Sequence, residues 1–427
     1  MQNDCCCAIS TSKAQQWHVT SSILSSSATL EDHLGALQFA SISKDTRRRS
    51  LKTFDNMTAP DLPWYPIPSG RAICKVHLIQ AGGLAIPEDM VLLPGPNKPN
   101  DSINDNKKDE SPKKYYAPDY VFLIEHTPTG DKYIFDLGIR KDLENLPPTI
   151  VKNVLPQFDC EPKSPAEILK EHGTPEQQPE KVKAVIFSHM HFDHVGDGAK
   201  AGFENAELWV GPTCCTYARP GYPVNEEAPT LSETLPTDGS RMIREAFVPD
   251  ELLKKAGDKR AGKVVDGLQK GLYNAIALRK AAWFGLGSFD RAFDIFGDGS
   301  AYLIDAPGHS AGHQMMLIRT STGSPDDTFV LLAGDCFHHP ALLKEPRRTA
   351  RPPYSKGGMH TDPEPAVDTI YRTKAFAEKD NIWVVAAHDF SVGQDIQPGV
   401  KEIQGLVPIN DWQEKKWKKP LHEKLQI

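Results

Sequence analysis

The sequence lacks any unbroken apolar run of the roughly 18 residues that a bilayer crossing requires, so no membrane-spanning helix and no membrane partner are expected. Its first residues, MQNDCCCAIS, have neither the basic start nor the apolar stretch of a secretory signal, which points to a cytoplasmic protein. The eight cysteines, three of them consecutive at 5 to 7 and two more at 214 and 215, do not have the spacing of a disulfide framework. Reduced thiols are expected. A basic excess is also missing: 49 Lys and Arg stand against 56 Asp and Glu, a formal charge of −7. That balance argues against a nucleic-acid binder relying on broad phosphate neutralisation and fits a small-molecule substrate.

What is present describes a globular chain with a sizeable core, 427 residues of which 39% are hydrophobic and 25% charged. Residues 1–60 are rich in Ser and Thr, have little apolar period, and read as a flexible N-terminal extension. Residues 61–427 read as one domain carrying insertions at about 91–117, which is polar and Pro-rich, and at 212–290, which is interrupted by glycines. AICKVHLIQAGGLAI suits a first strand ending in a turn at Gly82 and Gly83. YVFLIEHTPTGDKYIFDLG reads as a hairpin with Gly130 in its turn, and SPAEILKEH as a helix capped by Ser164 with Pro165 in the first turn. KVKAVIF, AELWVGP and IWVVAAH read as strands, and PAVDTIYRTKAFAEKD as a helix. In the basic tail, Trp412 and Trp417 are expected to dock on the body of the protein.

Directly after KVKAVIF comes SHMHFDHVGD, with three histidines and two aspartates in ten residues. Side chains two apart in an extended segment project to one side, so His189 and His191 converge on one metal ion, while Asp193 and His194 serve a second. At this composition H-x-H-x-D-H should arise by chance in only roughly one chain in a thousand. Three later segments each end an apolar strand with one more ligand type: His309 in APGHSAGH, Asp335 in LLAGDCF and His388 in VVAAHDF. A carboxylate has two oxygens and can bridge two cations. One ion is therefore expected on His189, His191, His309 and Asp335, and the other on Asp193, His194, Asp335 and His388. Imidazole and carboxylate together suit zinc, with manganese, iron and cobalt as competitors.

The ordered set HxHxDH, GH, GD and a strand-end His resembles the metallo-β-lactamase superfamily over about residues 72 to 400. DIFGDGSAYLIDAPGHSAGHQ and FLIEHTPTGDKYIFDLGIRKD resemble in particular its N-acyl-homoserine lactonases and related lactone and lactam hydrolases. The resemblance implies an α+β fold, an αβ/βα four-layer sandwich of two mixed sheets with helices outside. It implies two zinc ions per chain and hydrolysis by a metal-bridging hydroxide, with Asp193 moving a proton to the leaving group. Where those lactonases usually place a tyrosine, three residues after the bridging aspartate, this chain has His338, whose imidazole can donate a similar hydrogen bond. The interval from His194 to His309 is longer than compact members need, and its Trp283, Phe284 and Phe289 suit either a pocket or the core.

Lactone opening is therefore the first expectation. Lactam or amide hydrolysis and a glyoxalase II-type thioesterase come next, followed by a mononuclear-iron oxidoreductase and a non-catalytic member of the fold. His313 reads as a support for the ligands or a core histidine and not as a ligand, Cys336 as a small buried hydrophobe, and Asp136 as a residue fixing a loop beside the site; His338 and His339 suit a pocket and a surface turn equally.

Overall fold

From Tyr120 to Ile124 every side chain is buried, and successive residues enter different cores: Tyr120, Phe122 and Ile124 one, Val121 and Leu123 another. A strand whose alternate faces are both apolar must be covered on both sides. That local fact sets the architecture. The computed structural model describes residues 60–94, 113–197, 202–255, 258, 275–278, 282–323 and 326–423. The N-terminal extension, apart from Pro60, and most of the 91–117 insertion lie outside these residues.

The strands are β1 (Cys74–Pro87), β2 (Lys114–His126), β3 (Lys132–Phe135), β4 (Asp159–Pro162), β5 (Val182–Ile186), β6 (Glu207–Val210), β7 (Ile243–Glu245), β8 (Ala275–Ala277), β9 (Phe284–Leu286), β10 (Phe289–Asp294), β11 (Ala301–Asp305), β12 (Gln314–Ser321), β13 (Thr328–Leu332), β14 (Ile382–Val385) and β15 (Val407–Pro408). The helices are α1 (Pro148–Asn153), α2 (Pro165–His172), α3 (Cys214–Ala218), α4 (Asp250–Lys255), α5 (Pro340–Lys344), α6 (Pro363–Ala377) and α7 (Phe390–Ile396). Among the described residues, one sheet runs β15-β1-β2-β3-β5-β6-β7-β8 with β4 beside β1, and the other runs β14-β13-β12-β11-β10-β9. Both are mixed: β3, β5, β6, β7 and β8 pair in parallel, as do β13 and β14, and the remaining pairs are antiparallel.

Alternate residues of β1, β2, β3 and β5 meet alternate residues of β11 to β14 in a shared core that includes Phe122, Phe135, Leu303, Met316 and Trp383. The outer face of the smaller sheet, with Leu317, Leu331 and Val384, packs on Ile370 and Phe376 of α6. The outer face of the larger sheet, with Val121, Val185 and Leu208, packs on Ala166 and Leu169 of α2. The result is the expected four-layer α+β sandwich. Ser164 caps α2 by accepting from the Glu167 N–H, and Gly130 turns the β2–β3 hairpin at φ 74°. Trp412 and Trp417 are buried beside Trp383, so the tail docks as its composition suggests.

Two expectations need correction, and one open alternative is resolved. The first strand does not end at Gly82 and Gly83; β1 continues to Pro87 through a register shift. The reason is β4, whose Glu161 carbonyl lies so near Gly82 that a Cβ there would be 1.9 Å away, which leaves room only for glycine. The 91–117 loop is shorter than it reads, since Val91, Leu92 and Leu93 are buried and β2 has begun by Lys114. Within 212–290, where pocket and core were equally open, β7 and β8 extend the larger sheet, and Phe289 takes the core alternative with Phe284 packed against it. Trp283 donates from its indole to the Phe247 carbonyl at 2.8 Å.

At the end of β7 the Glu245 carboxyl is buried, and burial pushes it from the usual 4.5 up to about 7 despite hydrogen bonds from Cys215 and the backbone of Thr213. The folded chain thus binds this proton more tightly than the unfolded one. Its stabilising effect is complete below pH 4.5, is lost as pH rises to about 7, and changes no further above that. Relative to the parent, Glu245→Gln should therefore gain up to about 3 kcal/mol at pH 8 over its standing at pH 4. Urea unfolding of both proteins at the two pH values measures this, and an equal gap at both would contradict it.

Candidate metal centre

Strands β11, β13 and β14 end at one edge of the smaller sheet, and β5 ends facing them from the larger one. The two edges are joined directly, because Gln314 donates its backbone N–H to the Ser188 carbonyl at 2.8 Å and its side-chain amide to the Phe187 carbonyl at 2.9 Å. Beyond β5 the chain turns sharply, and Asp136 holds the turn from the end of β3. One of its oxygens accepts the Ser188 N–H at 2.6 Å and the other accepts from His194 Nδ1 at 2.9 Å. With its Nδ1 proton held by Asp136, His194 directs Nε2 inward, where a cation could take the place of a second proton. Gly334, at φ 48°, lets Asp335 approach: a Cβ there would lie 2.8 Å from the Ser188 Cβ and 3.0 Å from His313 Nε2.

All seven candidate ligands meet. The ligand atoms of His189, His191, His309 and Asp335 lie within 4.8 Å of one another, and so do those of Asp193, His194, Asp335 and His388. Asp335 divides itself between the sets. Its Oδ1 is 3.1 Å from His194 Nε2 and 3.3 Å from His388 Nε2, while its Oδ2 is 3.4 Å from His309 Nε2 and 3.9 Å from His189 Nε2. His309 Nε2 is 3.0 Å from both His189 Nε2 and His191 Nδ1, so three imidazole nitrogens point at one spot. In the other set His194 Nε2, His388 Nε2 and Asp335 Oδ1 are buried without a hydrogen-bond partner. Convergent lone pairs and orphaned buried acceptors form a donor set that suits a cation.

The charge states differ between the sets. Burial, reinforced by the neighbouring imidazoles, holds His189 and His309 well below the ordinary histidine range, and burial brings His191 down to about 4. Their environment thus favours the neutral form that a metal ligand needs. For His194 and His388 burial again opposes the charge, but the carboxylate of Asp335 overrides it, aided by Asp136 and Asp193 at His194 and by Asp193 at His388, and holds both well above the ordinary range, so these two positions attract a cation. Burial likewise opposes ionisation of Asp335, and His194, His388 and His338 keep it well below the carboxylate range.

His338 belongs to this cluster, with Nε2 3.0 Å from Asp335 Oδ2 and its backbone carbonyl accepting from the Tyr115 phenol at 2.7 Å. His339 does not: it is buried against Tyr115 and Phe390, and its Nδ1 accepts the Ala341 N–H that opens α5. His313 is the support it reads as, donating from Nδ1 to the Ala306 carbonyl and accepting the Asp335 N–H at Nε2. The Cys336 thiol is buried and pushed up to about 12, the mark of an inert side chain.

Two residues of the site escape sequence reading. Asp119 on β2 is fully buried, neither of its oxygens has a hydrogen-bond partner, and burial pushes it up to about 8. His360 is buried 3.2 Å from His309, Nδ1 to Nδ1. Neither lies in a motif with ligand spacing, and Asp119 is embedded in an apolar strand. A cavity of about 730 Å³ lies on the outer side of the metal loop, between Leu137, Arg140, Gly196, Asp197, Tyr222 and Glu233. None of the seven candidate ligands lines it, so the candidate site rests on the chemistry of its donors and not on the size of a cavity. Among the described residues no helix is long and apolar enough to cross a membrane.

No family model matches the chain. It is similar to the metallo-hydrolase mfmC of Annulohypoxylon moriforme, 31% identical over 71% of this chain and 78% of that protein. It is also similar to the γ-lactamase FDB1 of Fusarium pseudograminearum, 30% identical over 71% of this chain and 72% of that protein. A third relative, the cytochrome P450 monooxygenase mpaDE of Penicillium roqueforti, is 31% identical over 71% of this chain, which spans only 32% of that protein's length. With two relatives matched along more than two thirds of their length, and with the histidine and aspartate sets gathered at one edge of a two-sheet sandwich, the chain belongs to the metallo-β-lactamase superfamily of metal-dependent hydrolases.

Proposed function

We propose that the chain is a two-metal hydrolase that opens a lactone ring of a small organic molecule. The observation that carries this reading is the division of Asp335, one oxygen toward each of two four-residue sets. A single iron would leave one set unused, and a purely structural zinc is normally closed by cysteines, which neither set contains. The imidazole and carboxylate donors suit zinc. His189, His191, His309 and Asp335 would hold one ion, and Asp193, His194, Asp335 and His388 the other. When bound, such a pair lowers the pKa of water to about 7 and polarises a carbonyl, which supplies a nucleophile at neutral pH.

The chain's own groups then divide the work. Asp193 Oδ2 is 3.6 Å from His388 Nε2, and its Oδ1 is 4.0 Å from His194 Nε2. Having no shorter contact to either, this carboxylate is the group we assign to carry the proton to the leaving oxygen. His338, at the Oδ2 side of Asp335, is assigned as the donor to the substrate carbonyl. His191, half-buried where the other ring ligands are buried, marks the side from which substrate enters.

The relationship to a γ-lactamase favours a second reading, opening of a lactam, in which the leaving nitrogen must be protonated and Asp193 carries more of the barrier. The ligands are the same for both and for a thioester, so a panel of lactones, lactams and thioesters decides the leaving group. Purified protein should contain about two zinc ions per chain and lose its activity on chelation. One iron per chain without hydrolysis would overturn the proposal. His191→Ala should lose metal and nearly all hydrolysis with the fold intact; unchanged metal content at full activity would remove His191 from the ligand set.

Asp136→Asn tests the ligand support. Asparagine tolerates the positive φ of 63°, but its amide cannot accept from both the Ser188 N–H and His194 Nδ1, so one donor faces a donor in either orientation. Metal affinity should fall about 10–100-fold and stability by about 1–3 kcal/mol, read by metal titration and urea unfolding. Unchanged affinity would mean that His194 needs no such orientation.

A further inference from the structure

Each buried histidine in the two sets directs one ring nitrogen at the site and the other outward, where a fixed partner sets the tautomer. His189 Nδ1 meets the Ser188 hydroxyl at 2.9 Å, His194 Nδ1 meets Asp136 at 2.9 Å, and His388 Nδ1 donates to the Pro118 carbonyl at 2.8 Å. His309 is the exception among them, because its outward nitrogen meets another imidazole, His360, at 3.2 Å. If His309 Nε2 is to offer a lone pair to a cation, its proton must sit on Nδ1. His360 Nδ1 must then be the acceptor, with its own proton on Nε2.

The backbone makes that arrangement rigid. The Thr361 N–H donates to the His309 carbonyl at 2.9 Å, and the Asp362 N–H donates to the Gly308 carbonyl at 2.9 Å. The Thr369 hydroxyl donates to the Pro307 carbonyl at 2.7 Å. The segment entering α6 thus holds the carbonyls of residues 308 and 309, the helix itself holds that of 307 through Thr369, and His360 adds a fourth contact, the one that reaches the His309 ring. His360 is buried, lies 51 positions from His309 in the chain, and faces His338 on its other side with ring centroids 5.3 Å apart.

We propose that His360 is a positioning residue for His309: it accepts the Nδ1 proton, locks the ring with Nε2 inward, and so sets the affinity of the ion held by His189, His191 and His309. The inference rests on the two-metal reading. It concerns binding and tautomer, and does not make His360 a residue that touches substrate. Asparagine at 360 can place an amide oxygen near the position of the imidazole Nδ1, whereas alanine leaves the His309 proton without an acceptor.

The test is zinc and cobalt titration of metal-free protein prepared by chelation, for the parent, His360→Ala and His360→Asn, with urea unfolding of the metal-free forms as a check on folding. His360→Ala should bind one ion like the parent and the other about 10–100-fold more weakly, with a changed cobalt absorption spectrum. His360→Asn should recover most of the loss. If His360→Ala does not fold, His360→Asn is compared with His360→Gln, whose longer side chain moves the acceptor away and should bind the ion more weakly. Parent-like affinity for both ions in His360→Ala would overturn the inference, as would an asparagine variant that folds but binds no better than alanine. Both results leave the two-metal reading standing. A parent protein that takes up no metal would instead overturn that reading, and this inference with it.

Discussion

The Asp335 carboxylate is the constraint around which the rest is arranged. It is buried, ionised, and split between two groups of imidazoles that arrive from separate parts of the chain. A buried charge of this kind is costly unless its surroundings are organised to match it. Much of the adjoining structure does that. Gly334 permits the approach, His313 holds the Asp335 N–H, Asp136 fixes both Ser188 and His194, and Gln314 ties the ends of the two sheets together.

Support of this kind is distributed unequally in chain and space. The ligands sit at four strand ends, while their supports come from the neighbouring strand end at Asp136, from β2 at Pro118, and from the segment before α6 at His360. The carboxylates of the acidic set draw positive charge, whether a proton or a metal, to its two imidazoles, whereas burial in the histidine-rich set favours the neutral form of its three. One centre therefore contains two electrostatic environments, bridged by one side chain.

The seven candidate ligands that the fold brings together were legible in the sequence because their order and density are improbable and each group follows an apolar strand, a pattern that needs no three-dimensional knowledge to recognise. The layers were legible only through the family resemblance: a run such as YVFLI is apolar throughout, which says that both faces of its strand are covered but not by what. His360 was not legible: its partner is 51 residues away, and a lone histidine before a Thr-Asp-Pro helix start carries no metal signal. Asp119 was hidden because a buried carboxyl inside an apolar strand looks like any strand-end polar residue. The turn misread at Gly82 and Gly83 shows the same limit. Glycine marks a departure from regular geometry, but whether the chain reverses or merely accommodates a crossing strand depends on β4, some 75 residues further on.

The site is assembled from both halves of the sandwich, with Ser188 to His194 leaving the larger sheet and His309, Asp335 and His388 leaving the smaller one. Neither sheet alone carries a complete set. The centre therefore works mechanically as a clasp: whatever ion it grips also fastens one sheet to the other at that rim, and any slippage between the sheets is felt there first. A protein built this way cannot separate the integrity of its sandwich from the integrity of its chemistry.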